Sequence, residues 1–477
     1  MHTYCPSVGG KQFFPEKISK GLTIEPKGGA SVKNKWSFPV AFFLVMILST
    51  TVFAGGVVNK TNWSAEYIRT MNRNAATDYA DIVFYNPAGT VHMDRGGFLN
   101  VSAHYFPKLY EHTISSSPIP GVNGKYESDE PSVVPGLFTV YNTGRWALFF
   151  GVSNTVGGGK VIYDDGSLTT AALGAGVISG INTNILTPGG VPPTALYNTI
   201  KSQEIEAEAM GPGYMIGGAY RVNDQFSLSM GIRYIDAQKT AKGKVTIGNM
   251  GNPIPNINDD ITGVVDYEWD AQGVGGIFGI NYKPSRDTTI AARYETLTSL
   301  RYNYTVKEDN LNILALQGIT TGTTKREDHP ATLGLGVSHR FSPKLRAETN
   351  LTYYFNSDAD WEGAQRYFKN GFDAGVAVEY AITPELLGSI GYMYTSIGMK
   401  SKYANEFTAN LPENPNLDAH SIGLGGAYKV NPNLDLNFGL GGVFYVDDDI
   451  FVQDLGANVD YEKTIYFVAF GIQYKFL

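Results

Sequence analysis

Residues 464–476 read TIYFVAFGIQYKF: Tyr466, Val468, Phe470, Ile472, Tyr474 and Phe476 share one parity, and Ala469, Gly471, Gln473 and Lys475 lie between them. Successive side chains of a β-strand point to opposite faces, so this period of two makes one face apolar and the other small or polar. A soluble sheet can show such a strand once. A transmembrane barrel shows it in nearly every strand, because lipid lies outside and a wetter lumen inside. The pattern does recur. Phe226, Leu228, Met230, Ile232 and Tyr234 alternate with Ser227, Ser229, Gly231 and Arg233; Leu345, Ala347, Thr349, Leu351 and Tyr353 alternate with Arg346, Glu348, Asn350 and Thr352; Leu434, Leu436, Phe438 and Leu440 alternate with Asp435, Asn437, Gly439 and Gly441. Charges keep to the second parity. A Lys or Arg facing lipid at mid-membrane costs roughly 2–4 kcal/mol, which assigns Arg233, Arg346 and Glu348 to the lumen.

Turn signals punctuate this rhythm: Asn142-Thr143-Gly144, Asn223-Asp224, Pro284-Ser285-Arg286-Asp287, Ser342-Pro343-Lys344, Thr383-Pro384-Glu385 and Asn431-Pro432-Asn433. Each gathers Pro, Gly, Asn or Asp in a few residues, as tight antiparallel turns do. Between them lie longer polar or glycine-rich stretches near 108–130, 157–202, 248–262, 308–325, 402–417 and 447–460. Short turns alternating with long loops suit the periplasmic and extracellular ends of a barrel. The candidate strands number fourteen, from 96–107 to 461–476, and include 145–156, 345–361 and 386–401. The expected fold class is an all-β transmembrane barrel of about 14 antiparallel strands, occupying residues 96–477.

Residues 1–54 read as a leader. Lys33 and Lys35 precede the apolar run Val40–Leu48, and small residues follow up to Ala54, so the core of a secretory signal lies at 33–54 with cleavage expected after Ala54. The 32 residues upstream fit either a misassigned start or a long basic extension. The single cysteine, Cys5, precedes the cut, which excludes disulfide and thiolate chemistry from the remainder. The leader carries six Lys and two Glu, so a chain of net charge −8 leaves a mature part at −12. An acidic chain without basic clusters argues against nucleic acid as a partner. The 30 Tyr and 25 Phe suit aromatic girdles at two lipid interfaces.

Residues 55–95 break the barrel rhythm. Trp63 to Arg73 is expected to form a short helix after the possible cap Asn62, with Ala65, Ile68 and Met71 three apart, and Phe84-Tyr85-Asn86-Pro87-Ala88-Gly89 ends in a turn. A small, mostly nonstrand segment ahead of a barrel suggests a plug, since fourteen strands enclose a lumen that eight would fill. Asn74-Ala75-Ala76-Thr77-Asp78-Tyr79-Ala80-Asp81 followed by Phe84-Tyr85-Asn86-Pro87-Ala88-Gly89 resembles the N-terminal hatch of the FadL/TodX family of outer-membrane transporters. The resemblance implies a fourteen-stranded barrel and a hydrophobic small-molecule ligand, such as a long-chain fatty acid or an aromatic or alkane hydrocarbon. It also implies a monomer surrounded by membrane lipids, with Asn86, Pro87, Ala88 and Gly89 in the gating hatch. The closing Tyr474 and Phe476 resemble the signature that the barrel-assembly machinery reads, although Leu477 follows. The longest loop follows the third strand here, whereas the family's fatty-acid transporter has its large loop after the fifth. Its apolar residues, among them Leu168, Leu173 and Ile181, suit either a landing site for a lipid-like ligand or packing on neighbouring loops.

Enzyme chemistry finds little footing. The seven histidines are scattered, with no HExxH, paired metal-ligand spacing or nucleophile elbow. No cofactor is expected. Gly157-Gly158-Gly159-Lys160 lacks the strand-to-helix setting of a phosphate loop and reads as loop. The lumen charges Arg233, Arg293, Glu295, Arg346, Glu348 and Glu379 suit an internal ion-pair network that fixes the hatch; alternatively one Arg meets a substrate carboxylate in two-pronged geometry. Passive passage of hydrophobic compounds past the hatch is the expected function. A general porin or a structural, adhesive surface protein is the alternative.

Overall fold

The computed structural model describes residues 63–190, 196–250, 260–400, 417–452 and 456–476. The leader, its cut after Ala54, Asn62 and Leu477 lie outside the described residues. Nineteen strand segments form one antiparallel sheet, and five of its strands are interrupted, so the sheet has fourteen strands. In chain order they are β1 (Gly96–Phe106 and Lys108–Ser115), β2 (Gly124–Ser128 and Ser132–Asn142), β3 (Trp146–Tyr163), β4 (Thr199–Arg221), β5 (Phe226–Gly248), β6 (Ile261–Tyr282) and β7 (Thr288–Glu295 and Arg301–Asp309). Then follow β8 (Thr324–Arg326 and Thr332–Arg340), β9 (Leu345–Tyr354), β10 (Gly371–Ala381), β11 (Leu386–Ser396), β12 (Ala419–Asn431), β13 (Leu434–Tyr445 and Asp448–Val452) and β14 (Ala457–Lys475). The sheet closes on itself where β14 pairs with β1, from Phe98 opposite Lys475 to Tyr105 opposite Val468.

Parity sorts the two faces. Tyr466, Val468, Phe470, Tyr474 and Phe476 are about half exposed on the outer surface, while Ala469 and Gln473 are buried in the lumen. Phe226, Leu228, Met230 and Ile232 face outward and Arg233 is fully buried. Above Tyr234 the outward positions of β5 become Asp236, Gln238, Lys242 and Lys244, which are exposed. That switch marks the upper edge of the hydrocarbon, because such side chains belong in water. Among the described residues no helix is long and apolar enough to cross a membrane; the strands do the crossing.

The switch also explains where the sequence reading stopped short. Polar residues at 108–130 and 447–460 suggested loops, yet Lys108–Ser115 pairs with β14, Gly124–Ser128 pairs with β1, and Asp448–Val452 pairs with β14. These are strand extensions that stand above the membrane, where the outer face no longer has to be apolar. Gly157–Lys160 likewise lies within β3, not in a loop. At the other extreme β9 ends at Tyr354 and β11 at Ser396, short of the expected 361 and 401. Part of the long connection after β3 is helical: α2 (Leu168–Ile181) follows β3, which also leaves less of that connection as open loop than the expected 157–202. Its N-terminus is closed by Ser167, whose hydroxyl accepts from the Thr170 amide while the Thr170 hydroxyl accepts from the Ser167 amide. Leu168, Ala171, Leu173 and Ile181 are buried with the apolar upper lumen, so this connection packs into the mouth.

Candidate functional site

The described part of the hatch, 63–95, fills the lower lumen. Its helix is shorter than the apolar spacing suggested: α1 spans only Ala65–Ile68, capped by the Ser64 hydroxyl, and the chain then turns through Met71 at φ 54°. A short 3-10 turn at Ala80–Val83 and another at Pro87–His92, with Pro87 in its first turn, complete it. Asn86 is held outside the helical region at φ −144°, ψ 68°, as a residue before proline should be. Its amide donates to the Ala76 carbonyl at 3.0 Å, tying the two halves of the hatch together. A Cβ on Gly89 would meet that same amide at 2.7 Å, so only glycine fits there. The Ala88 carbonyl accepts from Ser227 of β5 at 2.6 Å.

Charge fixes the hatch to the wall. Arg73 bonds Asp78 at 2.7 Å and Asp81 at 2.6 Å within the hatch, and Asp81 also accepts from Ser64. Arg346 of β9 reaches Asp78 at 3.1 Å and pairs with Glu379 of β10, which pairs with Arg69 of the hatch as well. Glu348 accepts the Ala75 amide at 3.0 Å. Arg293 donates to the Phe84 carbonyl and stands 3.9 Å from Glu295; Arg233, one level higher, pairs with Glu295 and faces His329 at 3.3 Å. The lumen charges therefore form the internal network, with Arg346, Glu348 and Arg293 on the hatch itself. Arg69, Arg73, Asp78 and Asp81 complete it, and their role was invisible in the sequence because a charge in a short nonstrand segment does not declare its partner.

A crevice runs between hatch and wall. It holds about 350 Å³ of empty space but only about 20 Å³ open to the centre of a water, so it is narrow along its length. Trp63, Tyr67 and Tyr85 line it, Tyr67 stacked on Tyr85 at 5.4 Å, with Met71 and Met393 as flexible apolar walls and Arg293 and Asp373 as its charges. Asn74, Asn350 and Thr352 line it as well, so the crevice is mixed, with an aromatic and thioether side and a polar one.

Away from the β7 and β9–β11 residues that line the crevice, on the β2–β3 side, the wall is incomplete. β2 and β3 pair from Asn142 and Ala147 up to Gly136 and Ser153 and no further. There β3 makes two successive bulges against β4, between Asn154 and Val156 and between Val156 and Gly159, and residues 153–157 are all buried, drawn into the lumen. The hatch touches this point: the Trp63 indole donates to the Asn154 carbonyl at 2.9 Å. Lys108 of β1 spans the breach, its ammonium donating to the Ser132 hydroxyl at 2.9 Å and to the carbonyls of Gly158, at 3.3 Å, and Lys160. Strand breaks leave buried backbone groups without ladder partners, and a lysine that reaches two such carbonyls meets that need. Neither Asn154 nor Lys108 was singled out in the sequence; the run Asn154 to Gly159, rich in glycine where alternation fails, was the available signal.

Residues 213–363 match the model of the family described as outer membrane protein transport protein (OMPP1/FadL/TodX). Through them, about a third of its length, the chain is similar to the OMPP1/FadL/TodX family. An OMPP1/FadL/TodX barrel is an outer-membrane protein, which agrees with the lipid-facing band described above. Among solved structures this chain is similar to a Pseudomonas aeruginosa FadL homologue, at 15% identity and a TM-score of 0.63 over 88% of this chain and 100% of that one. It is also similar to the P. putida toluene transporter TodX, at 14% identity and TM-score 0.55 over 84% and 96%, and to the Ralstonia pickettii toluene transporter TbuX, at 14% and 0.55 over 87% and 98%. At these identities the likeness is one of fold. No curated protein sequence matches this chain.

Proposed function

We propose that this protein carries hydrophobic compounds passively across the outer membrane, long-chain fatty acids or aromatic and alkane hydrocarbons being the substrates considered. The solute enters the apolar upper lumen, reaches the crevice between hatch and wall, and leaves sideways into the membrane where β2 and β3 part. The observation that carries this reading is the hydrogen bond from Trp63 of the hatch to Asn154 of the bulged β3. It joins the plug to the point where the β2–β3 pairing stops, so movement in one is felt by the other. The solved structures of toluene transporters with the same fold favour apolar cargo.

The test is a pair of measurements. In planar bilayers the intact protein is expected to conduct ions poorly and the variant lacking residues 55–89 to conduct freely. In cells, replacing both Asn86 and Pro87 with Ala, which touches no strand, is expected to alter uptake of a hydrophobic substrate more than uptake of small sugars. Free conduction by the intact protein, or an effect on sugars alone, would establish a general porin instead.

A further inference from the structure

We propose that the upper lumen holds a separate subsite, built around Lys239, for an uncharged aromatic molecule bearing one hydroxyl, a phenol; the inference rests on the transport reading and specifies part of its cargo. β5 carries Lys239 inward, opposite Trp269 of β6, which in turn sits opposite Tyr304 of β7. The rings of Tyr267, Trp269 and Tyr304 form a parallel ladder: Trp269 lies 5.0 Å from Tyr267 and 5.5 Å from Tyr304, at interplanar angles of 16° and 3°. The Lys239 ammonium stands 4.5 Å over the ring of Tyr302 and pairs with Glu327. All of these side chains are buried, among Ala237, Ala241, Ala271 and Leu300. Three of their polar atoms have no hydrogen-bond partner: the Trp269 Nε1, the Tyr302 hydroxyl and the Glu327 Oε1.

Stability does not account for this cluster. A buried ion pair is expensive to desolvate, and a well-packed apolar pair of similar volume often serves the fold as well or better. Unmet donors and acceptors in an apolar interior add to the cost. The chemistry of what would meet them is narrow. Lys239 is already paired with Glu327, so a carboxylate would bring a second anion beside Glu327 and would have to draw on Lys325, whose ammonium stands 5.8 Å over the Tyr304 ring. A hydrocarbon would leave all three atoms unmet. A hydroxyl donates to Glu327 Oε1 and accepts from Tyr302 or from the Trp269 N–H, and the parallel rings select a flat body to carry it. The helix α3 (Ile313–Leu316) packs against β6 and β7 beside this region, with Leu314 fully buried, so the site lies under an extracellular connection.

The isosteric pair p-cresol and p-xylene, which differ by hydroxyl against methyl, tests this by calorimetric titration of the purified mature protein in detergent, with 4-methylbenzoate as a charged third probe. After correction for partition into detergent, p-cresol is expected to bind at least about ten-fold tighter than p-xylene, the size of one well-made buried hydrogen bond, and 4-methylbenzoate more weakly than p-cresol. Tyr302→Phe keeps the ring beneath Lys239 and should reduce the cresol preference several-fold while leaving p-xylene within about two-fold; Glu327→Gln, similar in shape, should reduce it as well. Equal binding of cresol and xylene, a preference unchanged in both variants, or tighter binding of the benzoate overturns the subsite and leaves hydrophobic transport standing. Binding of none of the three overturns the subsite and counts against the transport reading too.

Discussion

Glu66 illustrates how a single buried acid can set the pH response of the plug. One oxygen accepts from Asn100 at 2.6 Å, and the other is buried without a hydrogen-bond partner. Burial, with Asp81 nearby, pushes its carboxyl up to about 7 from an ordinary 4.5, despite Arg73 acting the other way. The folded hatch therefore binds more protons than the unfolded one between those values, so its stability is greatest in acid and falls as pH rises through that window. The loss is up to about 3 kcal/mol at one pKa unit per 1.36 kcal/mol. Once the base-catalysed rise in intrinsic exchange is divided out, the protection factors of residues 63–95 should fall from pH 5 to pH 8, and Glu66→Gln should keep high protection at both. Equal protection in the parent protein at the two pH values would show that Glu66 does not change its protonation between them. No local pattern signals this, because Glu66 sits in a four-residue helix whose environment is made by distant strands.

At the scale of elements, the hatch and the wall meet through glycine. A Cβ on Gly391 would lie 1.7 Å from the Thr70 carbonyl, one on Gly423 2.1 Å from the Ile68 carbonyl, and one on Gly336 2.7 Å from the Ala75 amide. Gly439 and Gly425 press in the same way against Ile68 and Arg69. Backbone thus lies on backbone over much of the contact, and any side chain there must lift the plug. Gly423→Ala is expected to leave the barrel folded, with unchanged heat-modifiable mobility, yet to bring ion conductance most of the way to that of the variant lacking residues 55–89. Gly180→Ala on α2, where a Cβ meets nothing within 4 Å, should be silent. Conductance unchanged by Gly423→Ala would mean that the plug yields without opening. Half of this was legible beforehand. Parity put Gly439 and Gly441 on the lumen face, since alternation is a local property of a strand. What presses on them comes from some 370 residues away in the chain, and no local pattern records it. The breach between β2 and β3 stayed hidden for the same reason: two bulges spoil alternation, and a spoiled alternation reads as loop.

For the whole molecule, topology follows from the asymmetry of its ends. The turns at 143–145, 222–225, 283–287, 341–344, 382–385 and 431–433 are tight, and the opposite ends carry the long strand extensions and α2. An epitope inserted at Gly189, in an exposed turn beyond α2, should therefore be stained on intact cells. The same epitope at Ser285, Pro343 or Pro384 should be stained only after the outer membrane is permeabilised, and the reverse pattern would turn the barrel over. The fourteen strands themselves were readable because each must satisfy lipid independently, so the fold is written many times over, whereas a site formed by several strands is written once. The projecting parts of β4, β5 and β6 carry a further consequence. From Asp236 to the end of β5 at Gly248 the strand climbs roughly 30 Å beyond the hydrocarbon edge, at about 3.3 Å per residue and a tilt near 40°. The outer leaflet of such a cell is crowned with sugar, a hydrated layer through which an oily molecule partitions badly and diffuses slowly. On the transport reading proposed above, a rim raised to that height would take its cargo from the water beyond the sugar, and the step that keeps greasy molecules out of the cell would be one this cargo never has to take.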